Sequence, residues 1–214
     1  MTDILSHVII YFQQLPWLEL IAMVLSLAYV CLAAKGSLWC WPAAFFSTAL
    51  YSYIFYDVLL LMDSALNAYY LVMAIYGYWQ WSKNTSSQQD STSTLAIVSW
   101  STKWHIKACL ILAVIASLVG YFMATYTQAD FAYLDTFTTV YALFATYLVT
   151  QKVLENWLYW IVIDVVSIYL YIEKGLVPTT VLFTIFVAFA SYGYLKWLTL
   201  YKQSAITLQP EVSS

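Results

Sequence analysis

Arginine is missing from this 214-residue chain, only 9% of the residues carry charge, and the formal net charge is −3. A chain so poor in cations offers nucleic acid no basic face, and its small net charge implies no acidic-surface partner. Histidine is nearly as scarce: His7 and His105 lie outside or at the edges of the apolar runs, leaving no pair for haem. The three cysteines, Cys31, Cys40 and Cys109, are odd in number and scattered among apolar residues without CxxC spacing. They read as packing residues, not as metal or redox ligands. HExxH, GxSxG and the phosphate-binding loop do not occur, so the chain is expected not to be an enzyme and no cofactor is implied. A retinal pigment would need a lysine in mid-membrane on the last helix, whereas Lys196 and Lys202 sit at its end. No apolar run carries the row of charges of a voltage sensor or proton pump. The first sixteen residues include Asp3, His7, Gln13 and Gln14 and lack a basic start, so no cleavable signal peptide is expected.

What fills the chain instead is apolar: 63% hydrophobic and 19% aromatic residues, with a mean hydropathy of +0.75. The apolar runs are about twenty residues long, the length needed to cross a hydrocarbon core of about 30 Å as helix. The predicted spans are 17–34, 38–56, 59–81, 105–126, 132–150, 156–172 and 179–200, an all-α integral membrane protein of seven helices. Polar breaks separate them at Lys35-Gly36-Ser37, Asp57, residues 82–103, Gln128 to Asp130, Gln151-Lys152 and Glu173-Lys174-Gly175. Pro16 and Pro178 stand where helices could begin. The stretch 82–103 reads as a flexible linker, and the tail from Gln203 as loose. The organisation is then a first three-helix bundle over 1–81, a linker and connecting helix over 82–131, a second bundle over 132–202, and a tail over 203–214.

Seven spans put the termini on opposite sides. Lys35, Lys83, Lys103, Lys107, Lys152, Lys196 and Lys202 then share one side, leaving Lys174 with Asp3, Asp57, Asp130 and Glu173 on the other. The lysine side is expected to be cytoplasmic, with the N-terminus outside. The sequence also repeats itself. At an offset of 116 residues, Tyr76-Gly77-Tyr78 and Trp81 fall on Tyr192-Gly193-Tyr194 and Trp197, Trp41 falls on Trp157, and Tyr53 on Tyr169. Four spans are skipped, an even number, so the halves share one orientation: a 3+1+3 parallel repeat, an architecture that transporters use with the substrate between the halves.

Ionisable groups within a span are costly and mark function. Asp164 lies near the centre of the sixth span, and Trp157, Trp160 and Asp164 follow i, i+3, i+7 spacing on one stripe. Indole faces beside a carboxylate suit a flat cationic solute. Asp63, Asn67 and Tyr70 follow i, i+4, i+7 spacing in the third span and could face the same cavity. In the fifth span Asp135, Thr139, Ala142 and Thr146 share a stripe, with Thr139 counted as a site candidate. Thr180, Thr184 and Ser191 in the seventh form a helix-packing stripe. Glu155, Asn156 and Glu19 read as capping or interfacial, and Ser26 as a weaker site candidate. No metal site is indicated. A membrane enzyme or an assembly subunit is the alternative from another class.

Residues 150–175, with their Glu155-Asn156-Trp157-x-x-Trp160 core, resemble the signature segment of PnuC-type vitamin transporters, and Leu134–Thr139 and Ile75–Trp81 match as well. The resemblance implies a SWEET-like fold, a homotrimer in a bacterial inner membrane, and facilitated diffusion of a vitamin that is trapped by phosphorylation in the cytoplasm. Members carrying nicotinamide riboside show Gln where this chain has Asn67, and Asn where it has Asp164. The pattern here is closest to the PnuT branch, which implies thiamine as substrate, with nicotinamide riboside as the alternative.

Overall fold

The computed structural model describes residues 17–57, 61–86, 97–127, 131–173, 175 and 177–207. Seven helices fill them: α1 (Trp17–Ala34), α2 (Cys40–Asp57), α3 (Leu61–Ser86), α4 (Thr102–Tyr126), α5 (Ala132–Thr150), α6 (Asn156–Glu173) and α7 (Val177–Thr207). α1, α4 and the Thr179–Ser204 stretch of α7 are each long and apolar enough to cross a membrane. The other four are richer in tyrosine, tryptophan and acidic residues, which lowers their hydropathy. On α4 the outward face is apolar, with Leu110, Val114 and Leu118 at least 60% exposed, as expected of a surface that meets lipid.

α1 packs on α2, α2 on α3, α3 on α5, α5 on α6, α6 on α7 and α7 back on α1, a closed ring of six; α4 leans on α5 from outside. Exchanging the first half for the second turns the α1–α7 contact into α5–α3, so the packing itself has the two-fold pattern read from the sequence repeat.

Individual bonds carry the same symmetry. α1 ends in a left-handed Gly36 (φ 69°), with Gly36 N–H donating to Ala33 O (2.9 Å) and Ser37 N–H to Leu32 O (3.0 Å). α5 ends in a left-handed Lys152 (φ 55°), with Lys152 N–H donating to Val149 O (3.0 Å) and Val153 N–H to Leu148 O (3.1 Å). Both are the same Schellman helix cap, 116 residues apart. Trp81 Nε1 donates to Thr150 O at the end of α5 (3.2 Å), and Trp197 Nε1 to Ala33 O at the end of α1 (3.1 Å), so each half is tied to the other by an indole. Trp81→Phe and Trp197→Phe are each expected to lose about 1 kcal/mol, a typical net hydrogen bond. Thermal unfolding in detergent checks this.

Several helix ends deviate from the sequence expectation. α3 runs on to Ser86 and α7 to Thr207, beyond the expected 81 and 200, because Lys83, Lys202 and Gln203 continue a helix into water without breaking it. α2 starts at Cys40 and α4 at Thr102. The flexible-linker reading of 82–103 is corrected at both ends: 82–86 are helical, and residues 97–101 are docked on the α5–α6 loop. Residues 87–96, Pro16, Gln128 to Asp130 and the end of the tail lie outside the described residues.

Candidate functional site

At the lysine-rich end of the ring, Trp41, Trp81, Trp197 and Trp157 form a chain of rings. Trp41 meets Trp81 edge-on at 5.2 Å, Trp157 meets Trp197 edge-on at 5.4 Å, and Trp81 meets Trp197 at 6.3 Å across the two-fold. All four are buried. Glycine is needed beneath two of them: a Cβ on Gly77 would stand 2.3 Å from the Trp41 ring, and one on Gly193 2.7 Å from Trp157. This explains why the repeat couples Trp to Gly. The indole N–H groups of Trp41 and Trp157 are buried without a hydrogen-bond partner among the described residues.

Halfway along α6, about 12 Å from its start, Asp164 is buried at 5% exposure. Its carboxyl makes no hydrogen bond or ion pair among the described residues. Tyr70 of α3 lies within electrostatic reach of it, and Tyr29 of α1 within reach of Tyr70. Trp160, one turn before Asp164, packs with Tyr70 against the cluster of Tyr141, Ala142, Ala145 and Ile163. An acid, two phenols and an indole from both halves thus meet inside the ring. Leaving a buried carboxylate unpaired costs on the order of several kcal/mol, so such a group is retained where an incoming charge or donor completes it.

The α5–α6 loop, beyond the spans, holds a second buried charge. Lys152 is 4% exposed, with Nζ 3.8 Å from the centre of the Trp81 ring. Burial lowers its pKa to about 7, against a smaller raising effect from Cys40. Burying an ammonium costs several kcal/mol; the indole face returns about 1–2 kcal/mol, and left-handed backbone at a non-glycine residue costs about 1–2 kcal/mol more. Lys152 is therefore held at a net cost. Between about pH 7 and its ordinary titration range the unfolded chain is protonated at this lysine and the folded chain is not. Stability accordingly rises with pH across that window, and below about pH 7 the cost is fully present. The thermal midpoint in detergent is expected to be higher at pH 9 than at pH 6.5, with the difference reduced in Lys152→Met; a midpoint that falls over this range contradicts the assignment.

A strap holds this loop. Val98 N–H donates to Lys152 O (3.1 Å), Leu154 N–H to Val98 O (2.8 Å), and Glu155 accepts from Ser99 Oγ and from Trp100 N–H (3.3 Å). His105 of α4 stands 3.5 Å from Glu155 and 3.0 Å from the Tyr159 hydroxyl. Glu155 is thus the clamp of the strap, beyond the capping role expected of it. Asn156 starts α6, its amide donating to Val153 O (2.6 Å).

Of the residues singled out from sequence, Trp160, Asp164 and Tyr70 come together. Trp157 shares their helix face but sits in the tryptophan chain at the lysine-rich end. Asn67 is half-buried, and its amide donates back to Asp63 O (2.9 Å). Asp63 is exposed at the opposite end, where it and Asp135 of α5 both lie within electrostatic reach of Tyr171. Thr139 is half-buried on α5. Tyr29 and Lys152 were not foreseen. Tyr29 falls on Ala145 in the repeat, and Lys152 looks like an ordinary loop cation until Gly36 is recognised as its counterpart.

The profile of the family described as "Nicotinamide mononucleotide transporter" matches residues 16–199. The chain belongs to this family. Members of the nicotinamide mononucleotide transporter family are multi-pass membrane transporters, and the apolar helices described above fit that setting. The chain is 23% identical over 190 residues to the riboflavin/roseoflavin transporter RibM of Streptomyces davaonensis, covering 88% of each. It is 21% identical over 205 residues to the nicotinamide riboside transporter PnuC of Escherichia coli, covering 86% of each, and 24% identical to the PnuC of Neisseria mucosa, covering 93% of this chain and 78% of that one. The crystal structure of the vitamin B3 transporter PnuC superposes with a TM-score of 0.73 at 22% identity, covering 94% of this chain and 90% of that one. The fold of the family is therefore the fold of this chain, and the relatives named here are transporters. None of them is a thiamine transporter, so the PnuT-branch expectation finds no specific support among them.

Proposed function

We propose that this member of the nicotinamide mononucleotide transporter family carries a flat, positively charged vitamin precursor between its two halves, with nicotinamide riboside as first candidate. The observation that supports it is Asp164, a carboxyl buried beside Tyr70 and Trp160 without a hydrogen-bond or ion-pair partner among the described residues. A pyridinium can stack on the indole while its charge faces the acid, which gives the acid the partner it lacks. Lysines gather at one end, so that end is cytoplasmic; substrate enters past Asp63 and Asp135, whose charges concentrate a cation. It then settles beside Asp164, and rocking of the halves opens the tryptophan end. Transport runs down a concentration difference, sustained by chemical trapping inside the cell.

Thiamine is the second reading, favoured by the same carboxylate, which can accept from an exocyclic amino group and balance a thiazolium. Riboflavin can donate to Asp164 from its N3–H or ribityl hydroxyls, but it is neutral and brings no positive charge to the acid. Uptake of labelled nicotinamide riboside, thiamine and riboflavin into proteoliposomes separates the three. Saturable uptake of nicotinamide riboside, competed by thiamine at higher concentration and not by riboflavin, is expected. Riboflavin uptake with both cations inert would overturn the reading.

A further inference from the structure

We infer that Lys152 is a positioning residue of the transport cycle: it loads the α5–α6 loop, so that the tryptophan end of the path is held shut against a standing tendency to open. The inference rests on the transporter reading and is independent of which vitamin is carried.

The repeat supplies an internal comparison. Gly36 and Lys152 occupy the same turn with the same pair of backbone bonds. Gly36 accepts the left-handed conformation freely, whereas a lysine there is strained. Its charge is strained as well, since the ammonium is buried, meets Cys40 and the Trp81 ring, and has no carboxylate partner among the described residues. Swinging the loop outward would hydrate the ammonium and release the backbone together.

Among the described residues, the loaded loop alone is strapped. Val98 is bonded to Lys152 and Leu154, and Glu155 grips Ser99 and Trp100. Among the described residues no second segment hydrogen-bonds to residues 35–39. Load and clamp therefore coincide on one side of a two-fold structure. Trp81, which carries the ammonium on its face, belongs to the first half and bonds to Thr150 of the second. Movement of the loop thus acts on the seam between the halves, and opening of this end starts at the α5–α6 side.

Hydrogen exchange at the Val98 and Leu154 amides reports loop opening directly, because both bonds must break. It is measured on purified protein without substrate, so it gives an answer even if the vitamin assignment fails. Lys152→Met is expected to slow exchange at both amides about tenfold, since neutralising the load favours the closed loop. Lys152→Gly, which also relieves the backbone, slows it further, and Lys152→Arg does not slow it. Glu155→Ala, which releases the clamp, speeds it. A brace behaves in the opposite way. Exchange that is unchanged or faster in Lys152→Met, or failure of both the Met and Gly variants to fold, overturns the inference.

Discussion

Asp164→Asn will weaken binding of a cationic vitamin about tenfold to a hundredfold, the loss of about 1.5–3 kcal/mol associated with a hydrogen bond to a charged group. The shape of the side chain is kept and the charge removed, so the fold persists and the loss is confined to the ligand. Asp164→Leu separates the two roles further. It removes a buried polar group that has no partner among the described residues, and is expected to raise the thermal midpoint while abolishing binding. Calorimetry with purified protein reads the first effect and thermal unfolding the second. If Asp164→Leu is instead destabilised and Asp164→Asn binds normally, the acid belongs to helix packing and not to the site.

Gly77→Ala is expected to be the most damaging single methyl in the chain, costing about 3 kcal/mol or more as an overpacked contact. Its Cβ would stand 2.3 Å from the Trp41 ring. That ring is buried between α2 and α3 and edge-on to Trp81, so it has no open space to retreat into. Gly193→Ala, at 2.7 Å from Trp157, is expected to cost slightly less by the same mechanism. Adding Trp41→Leu to Gly77→Ala should recover part of the loss, a coupling that a double-mutant cycle isolates. Monodispersity on size exclusion and the thermal midpoint are the readouts. A Gly77→Ala protein as stable as the wild type would mean that the two helices part easily, and that the paired tryptophan–glycine contacts do not set the shape of the halves.

The repeat was legible because it is written in residue types with narrow uses: a large ring and the glycine beneath it recur together, and both copies make the same contact. Spans were legible because uninterrupted apolar runs have one low-cost structure in lipid. Helix ends were less so, since Lys83 and Gln203 break hydropathy without breaking the helix. The docked strap was hidden because Ile97 and Val98 follow a polar stretch, and their pairing partners lie more than fifty residues on. Asp164 could be chosen from its position alone, yet its nearness to Tyr70 depends on α3 and α6 lying side by side inside the ring, which no local pattern records. Asp63 shows the converse: its spacing with Asn67 and Tyr70 suggested one cavity, whereas it is exposed at the far end near Asp135 and Tyr171.

The most direct measurement compares two ligands of nearly the same shape: nicotinamide riboside, a cation, and its reduced form, which gains a hydride and becomes neutral. Calorimetric titration of the wild-type protein is expected to favour the cation at least about tenfold, a preference that Asp164→Asn removes. Equal binding of both forms, or tighter binding of the neutral one, would contradict a site in which Asp164 is the partner of a cation.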